Sequence, residues 1–215
     1  MKVATFRLED PERIPQNDIF DGGSETIFKI PTLPAYAIHH SNIEMDPCIF
    51  TASEVTQKIS HEIQNCMVTV RGYYDLYSPA SGFLTIYHAG IKDYSLLFPH
   101  IKSESLRQRL GQFAQEAESA LSSQSWMSYV LMVGAVLEGL LFNQFGDKSF
   151  AVLIRDAIDR NLIDNQEAAL FQEVRATRNR VHAAKHMEPF SNRKIAMELN
   201  VIYERLLKRS WISPD

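Results

Sequence analysis

Tyr129 to Phe142 reads "YVLMVGAVLEGLLF", fourteen residues of which only Glu138 is charged. Extended back to Trp126, the run places Val130, Val133, Val136, Leu137, Leu140 and Leu141 around most of the circumference of a helix. A helix that is apolar nearly all round must be covered on every side, by lipid or by other helices. At fourteen residues, with a carboxylate inside it, the run falls short of the roughly 20 apolar residues that cross a bilayer. It is therefore read as the central helix of a bundle, with no membrane segment.

The sequence on either side supplies the neighbours. After Pro99 the pattern is helical in five segments, 103–122, 126–145, 148–161, 165–185 and 191–211, with breaks at Ser, Gly, Asn and Pro. There is no internal repeat and no low-complexity tract, so these segments are expected to form one compact bundle over 103–215.

Before Lys102 the character changes. All prolines except Pro189 and Pro214 lie there, with the β-branched and aromatic runs "KVATFRL", "TIFKIP", "MVTVRGYY" and "GFLTIYH". These read as short strands. One helix is expected among them: "TASEVTQKISHEIQNC" opens with Thr51 and Glu54 at capping-box spacing and sets Val55, Ile59 and Ile63 along one face. Residues 1–102 thus form a smaller, strand-rich α+β domain, with twelve acids against eight bases, and the whole chain is α+β.

The chain has 215 residues, 45% hydrophobic and 22% charged, with a net charge of −4. That balance excludes a globally basic nucleic-acid binder, so any anion site must be local. Cys48 and Cys66 match no zinc or redox spacing, and no signal peptide opens the sequence, so a reducing cytoplasm is expected. His39, His40, His61, His88 and His100 follow no ligand spacing. "FDGGSETIF" lacks the lysine of a phosphate-binding loop and reads as a turn. "RGYYDLY" fits a strand with one buried face, a base-stacking surface or a partner-binding surface.

The local anion site is "VRATRNRVHAAKH", residues 174–186. It holds Arg175, Arg178, Arg180, Lys185, His182 and His186 and no acid, and like charges on one helix repel by a few tenths of a kcal/mol per pair. Leu170, Val174, Thr177 and Val181 recur at four, three and four residues and define the core-facing stripe, so Arg175, Arg178 and His182 share the adjacent face at about 100° per residue. Asn179 lies on the next line around. A guanidinium suits phosphate and an imidazole exchanges a proton near neutral pH. Two structural readings stand beside this one. Basic residues favour a helix C-terminus, and Glu138 can pair with Arg175 or Arg178 inside the bundle, behind the site. His182 and His186 have metal spacing but no third ligand, so no metal or cofactor is expected.

"AVLEGLLFNQFG", "LIRDAIDRNLID" and "VRATRNRVHAAK" together resemble the HEPN superfamily over about residues 105–210. The resemblance implies a helical bundle whose motif is an arginine, an adjacent polar residue and a nearby histidine. Members include metal-independent RNases that act as dimers across a shared cleft, and others that only bind. Arg178–Asn179 matches the arginine and polar residue. Three residues separate Arg178 from His182 where the family has four to six, and six separate Arg175 from His182, so either arginine can take the role. On this resemblance the chain is a homodimeric endoribonuclease of toxin or phage-defence kind. Arg178, Asn179, His182 and Arg175 are then catalytic, Arg180, Lys185 and His186 bind RNA, and a regulatory or antitoxin partner meets the N-terminal domain. The other reading is a non-catalytic RNA-binding, nucleotide-binding or assembly module.

Overall fold

A computed structural model describes residues 1–9, 11–13, 24–45, 59–72, 81–189, 192–209 and 211. The protein is mixed α+β, with strands in the N-terminal part and helices in the C-terminal part. It divides into two compact units, 1–93 and 94–215.

Among its described residues the first unit contains two antiparallel sheets. β1 (Lys2–Leu8) and β4 (Tyr36–Met45) flank β7 (Gly82–Ile91) in one of them. The other runs in the order β2 (Glu12–Arg13), β3 (Ser24–Lys29), β6 (Met67–Gly72) and β5 (Ser60–Gln64). Side chains alternate as the pleat requires: Phe6, Leu8, Leu84, Ile86 and His88 are buried in the first sheet, and Thr26, Phe28, Val68 and Val70 in the second. Tyr36 packs edge-on against Phe6 at 5.6 Å and His88 at 4.9 Å between ring centroids.

Two features depart from the sequence reading. Residues 60–64 form strand β5 rather than part of a helix, and the remainder of that expected helix, from Thr51 to Lys58, lies outside the described residues. The i, i+4 pair Ile59 and Ile63 fits a helix, but Asn65 takes a left-handed φ of 55° and turns the chain so that Gln64 pairs with Met67. β4 is the second departure, a ten-residue strand in the polar sequence "YAIHHSNIEM". Among the described residues it lies at a sheet edge, paired on one side only, and its register shifts between Tyr36 and His40, so little apolar alternation is needed to hold it. Gly22–Gly23 and Tyr73–Tyr77 lie outside the described residues.

The second unit opens with a 3-10 turn, Tyr94–Leu97, followed by α1 (Glu104–Ser122), α2 (Trp126–Phe145), α3 (Phe150–Asp159), α4 (Asn165–Arg180) and α5 (Arg193–Lys208). The Tyr94 hydroxyl donates to Glu118 at 2.6 Å, tying the turn to α1. α2 touches α1, α3, α4 and α5, and buries Tyr129, Val130, Val133, Val136, Leu137, Leu140 and Leu141. Among the described residues it is the one helix long and apolar enough to cross a membrane, and its apolar face is spent on other helices. α4 approaches at Gly134, where a Cβ would stand 2.4 Å from Val174 Cγ1. A larger residue there requires Val174 to shift.

The start of α4 is fixed by a reciprocal cap. The Asp164 carboxylate accepts from the Glu167 backbone N–H and the Glu167 carboxylate accepts from that of Asp164, each at 2.8 Å. Glu167 is only 3% exposed. Its other oxygen accepts from Arg205 on α5 at 2.7 Å, so the buried charge has a partner on both sides.

After α5 the chain folds back. Trp211 donates its indole N–H to the Leu206 carbonyl at 2.9 Å and stacks on His100 at 5.7 Å between centroids. Burial lowers the His100 pKa from 6.5 to about 4. An imidazole depressed in the folded state binds its proton more readily when unfolded. Its contribution is therefore full above pH 6.5 and is lost as pH falls toward 4. Discounted for the part of the ring that stays hydrated, it is about 1–2 kcal/mol. His100→Phe keeps the stack and removes the titration, so its denaturation midpoint should change less than that of the wild type across this window. Parallel midpoints for the two proteins would refute the assignment.

Candidate functional site

The cations of the 174–186 segment do not lie on one continuous helix. α4 ends at Arg180, Val181 caps it, and His182 is extended with ψ 134° before a 3-10 turn, Ala183–Lys185. The expected helix to residue 185 and the shared face of Arg178 with His182 are therefore corrected. The reason is burial: Glu167, Ala168, Phe171, Val174 and Thr177 form the inner face, Leu170 is half-buried, and Val181 is 50% exposed. Once no apolar side chain reaches the core, helix propensity alone does not carry the chain onward.

Arg175, Arg178 and Asn179 remain on the last turns of α4, and all three are exposed. Arg175 and Arg178 are three apart and so neighbours on the helix surface. His182 is exposed immediately beyond the helix end. His186 is exposed as well, and its Nδ1–H donates to the Ala183 carbonyl at 3.2 Å.

Carboxylates from outside the segment meet most of its cations. Glu138, the single charge of α2, accepts from Arg178 Nη1, with the two side chains 31% and 42% exposed. The Arg178 guanidinium also lies 6.0 Å from the centre of the Phe150 ring. Arg180 donates through Nη1 to Glu173 at 2.7 Å and approaches Glu188 with Nε at 3.6 Å. Lys185 Nζ donates to Glu188 at 2.5 Å. Lys185, first, and then Arg180 hold the Glu188 carboxyl below its usual range. Among the described residues Arg175 has no such partner.

Glu173 and Glu188 were missed in the sequence because they flank the segment on either side. Spacing could have found both. Glu173 and Arg180 are seven apart, two turns along one face, and Lys185 and Glu188 are three apart. Four cations against three carboxylates leave a local formal charge of one positive, so this is a cationic helix terminus with most of its charge already compensated. Among the described residues no three His, Cys, Asp or Glu side chains are grouped to hold a metal ion.

Fold and site together define an α+β protein whose helical unit presents an exposed arginine-rich helix end. Compared with protein-family models, curated proteins and solved structures, the chain matches none of them.

The Glu138–Arg178 pair is part-exposed, and such pairs contribute about 0–1 kcal/mol. A double-mutant cycle of Glu138→Ala and Arg178→Ala in chemical denaturation should therefore return a coupling below about 1 kcal/mol. A coupling of several kcal/mol would make the pair a structural element of the bundle rather than a means of aiming the guanidinium.

Proposed function

We propose that the end of α4 is an RNA phosphate site and that the protein is a metal-independent endoribonuclease resembling HEPN enzymes. The observation that carries the reading is Arg178, tethered through one terminal nitrogen to Glu138 on the central helix, with exposed Asn179 and His182 within four residues. A tether on one nitrogen leaves the other donors of the guanidinium fork free to meet a phosphate.

The chemistry follows from these groups. His182 takes the proton of an RNA 2′-OH, whose oxygen attacks the adjacent phosphorus. The O2′–P bond forms and the P–O5′ bond breaks, leaving a 2′,3′-cyclic phosphate, while a proton returns to the 5′-oxygen. Arg178 and Arg175 hold the phosphate oxygens as they gain charge, and Asn179 orients the ribose. DNA has no 2′-OH and is spared. The HEPN resemblance implies a homodimer whose motif helices face a common cleft, and in it His182 of one copy acts as the base and His182 of the other as the acid. The HEPN resemblance supplies the toxin or phage-defence setting and the regulatory partner at the N-terminal unit.

A second reading has its own support. His182 stands off the helix that carries Arg178, and Arg178 is already paired, an arrangement suited to a module that binds RNA or assembles without cutting it.

Incubation with total RNA in the presence of chelator separates the two. Cleavage should proceed, and His182→Ala should abolish it while RNA binding persists. Removing the principal phosphate-holding arginine should slow cleavage by about 10²–10³-fold. Arg178→Ala matching the His182→Ala loss assigns that role to Arg178, and the reverse order assigns it to Arg175. Binding without cleavage selects the second reading, and cleavage surviving all these changes refutes the site.

A further inference from the structure

Arg180 and Lys185 converge on one carboxylate. Glu188 accepts from Lys185 Nζ at 2.5 Å and lies 3.6 Å from Arg180 Nε. That Nε is buried and has no hydrogen-bond partner among the described residues, and the Arg180 side chain is 18% exposed. A buried donor without a partner calls for an explanation, and here a Glu188 oxygen stands 3.6 Å from it, too distant to accept from it. An ammonium beside one oxygen of the carboxylate and a guanidinium beside the other are the same groups that recognise a phosphate. Glu188 itself is reached through exposed residues, Ala183 to Met187, that no described apolar side chain anchors.

We infer that Glu188 is a built-in competitor for the phosphate site, its carboxylate occupying the position between Lys185 and Arg180 that a phosphate oxygen takes when an anionic ligand binds. This rests on the reading of the α4 terminus as a phosphate site and adds its regulation. The contact suits displacement. Lys185 and Glu188 are 49% and 40% exposed, and exposed pairs of this kind are weak, so a polyanion can remove the carboxylate. With Glu188 in place the contact is limited to Arg175 and the free donors of Arg178, and the site holds single phosphates poorly. With Glu188 displaced, Lys185 and Arg180 join the contact. Glu173 stays on Arg180 Nη1 and keeps the guanidinium in position.

Glu188→Gln in the full-length protein tests this, with Glu198→Gln as a charge-matched control. Glu198 pairs only loosely with Lys194, at 3.9 Å on α5. Inorganic tripolyphosphate binding is measured by calorimetry, and binding of a fluorescein-labelled single-stranded RNA by anisotropy at several salt concentrations. Glu188→Gln should tighten both ligands about two- to five-fold, the worth of one exposed ion pair. It should also steepen the logarithmic salt dependence for RNA by about 0.7 per cation released to a phosphate. Glu198→Gln should do neither, and adding Lys185→Ala to Glu188→Gln should remove the gain. If tripolyphosphate binding tightens while neither protein binds RNA, the competitor stands and the RNA reading falls. If RNA binds through Arg178 but Glu188→Gln changes neither ligand, the competitor is overturned and the RNA reading stands. An equal gain in Glu198→Gln, or no binding of either anion to Glu188→Gln, overturns the competitor.

Discussion

The helical unit depends on covering α2. Seven of its large side chains are buried, and each fully buried large apolar side chain contributes about 1.5–3 kcal/mol when water is removed from it. No single neighbour can cover a surface that runs around most of a helix, so α1, α3, α4 and α5 are all drawn to it. The small residues decide how near they come. Gly134 lets Val174 close against the α2 backbone, and Val174 with Thr177 forms the buried line on the last turns of α4. Arg175 and Arg178 lie beside that line on the exposed flank of α4, so the placement of the cations is a consequence of how α4 covers α2.

What covers α2 also explains where α4 ends. Its N-terminus is held by the Asp164–Glu167 box and by Arg205 reaching Glu167, a buried carboxylate with all its obligations met. Its C-terminus has no comparable hold. Beyond Thr177 the helix has passed the core, and Ala183, Ala184 and Lys185, good helix formers by intrinsic propensity, turn away. Tertiary burial outweighs propensity here, and the result is an exposed, irregular segment in which His182, Lys185 and His186 are no longer bound to the 3.6-residue period.

That difference marks how much could be read from the residues alone. α2 was legible to its ends, 126–145, because its apolar run is long and its boundaries fall at Ser125 and Gly146. α1 was legible for similar reasons, with the Ser103 cap accepting from Leu106. The strands β1, β3, β6 and β7 follow from β-branched alternation, whereas β4 does not, since an edge strand has half its backbone partners and less need of apolar side chains. β5 was hidden by a coincidence of spacing: Ile59 and Ile63 suit a helix, and the Asn65 turn that contradicts it is a single residue. At the site, the cations are visible as composition. Their pairing is not, because the acids lie in other places, Glu138 forty residues away and Glu173 and Glu188 at the margins of the segment.

The apparent puzzle of a helix end crowded with unpaired like charges therefore has a physical resolution with a functional consequence. Repulsion among Arg178, Arg180 and Lys185 is relieved by three carboxylates that differ in how firmly they are held. Glu138 belongs to the buried central helix α2, and Glu173 lies within α4 itself, so both can aim a guanidinium without leaving it. Glu188 belongs to the exposed segment after the helix and is joined to Lys185 by a contact that solvent reaches. If the proposed competitor holds, the terminus carries latent positive charge, because the carboxylate that lies outside the helices is the one an incoming anion replaces.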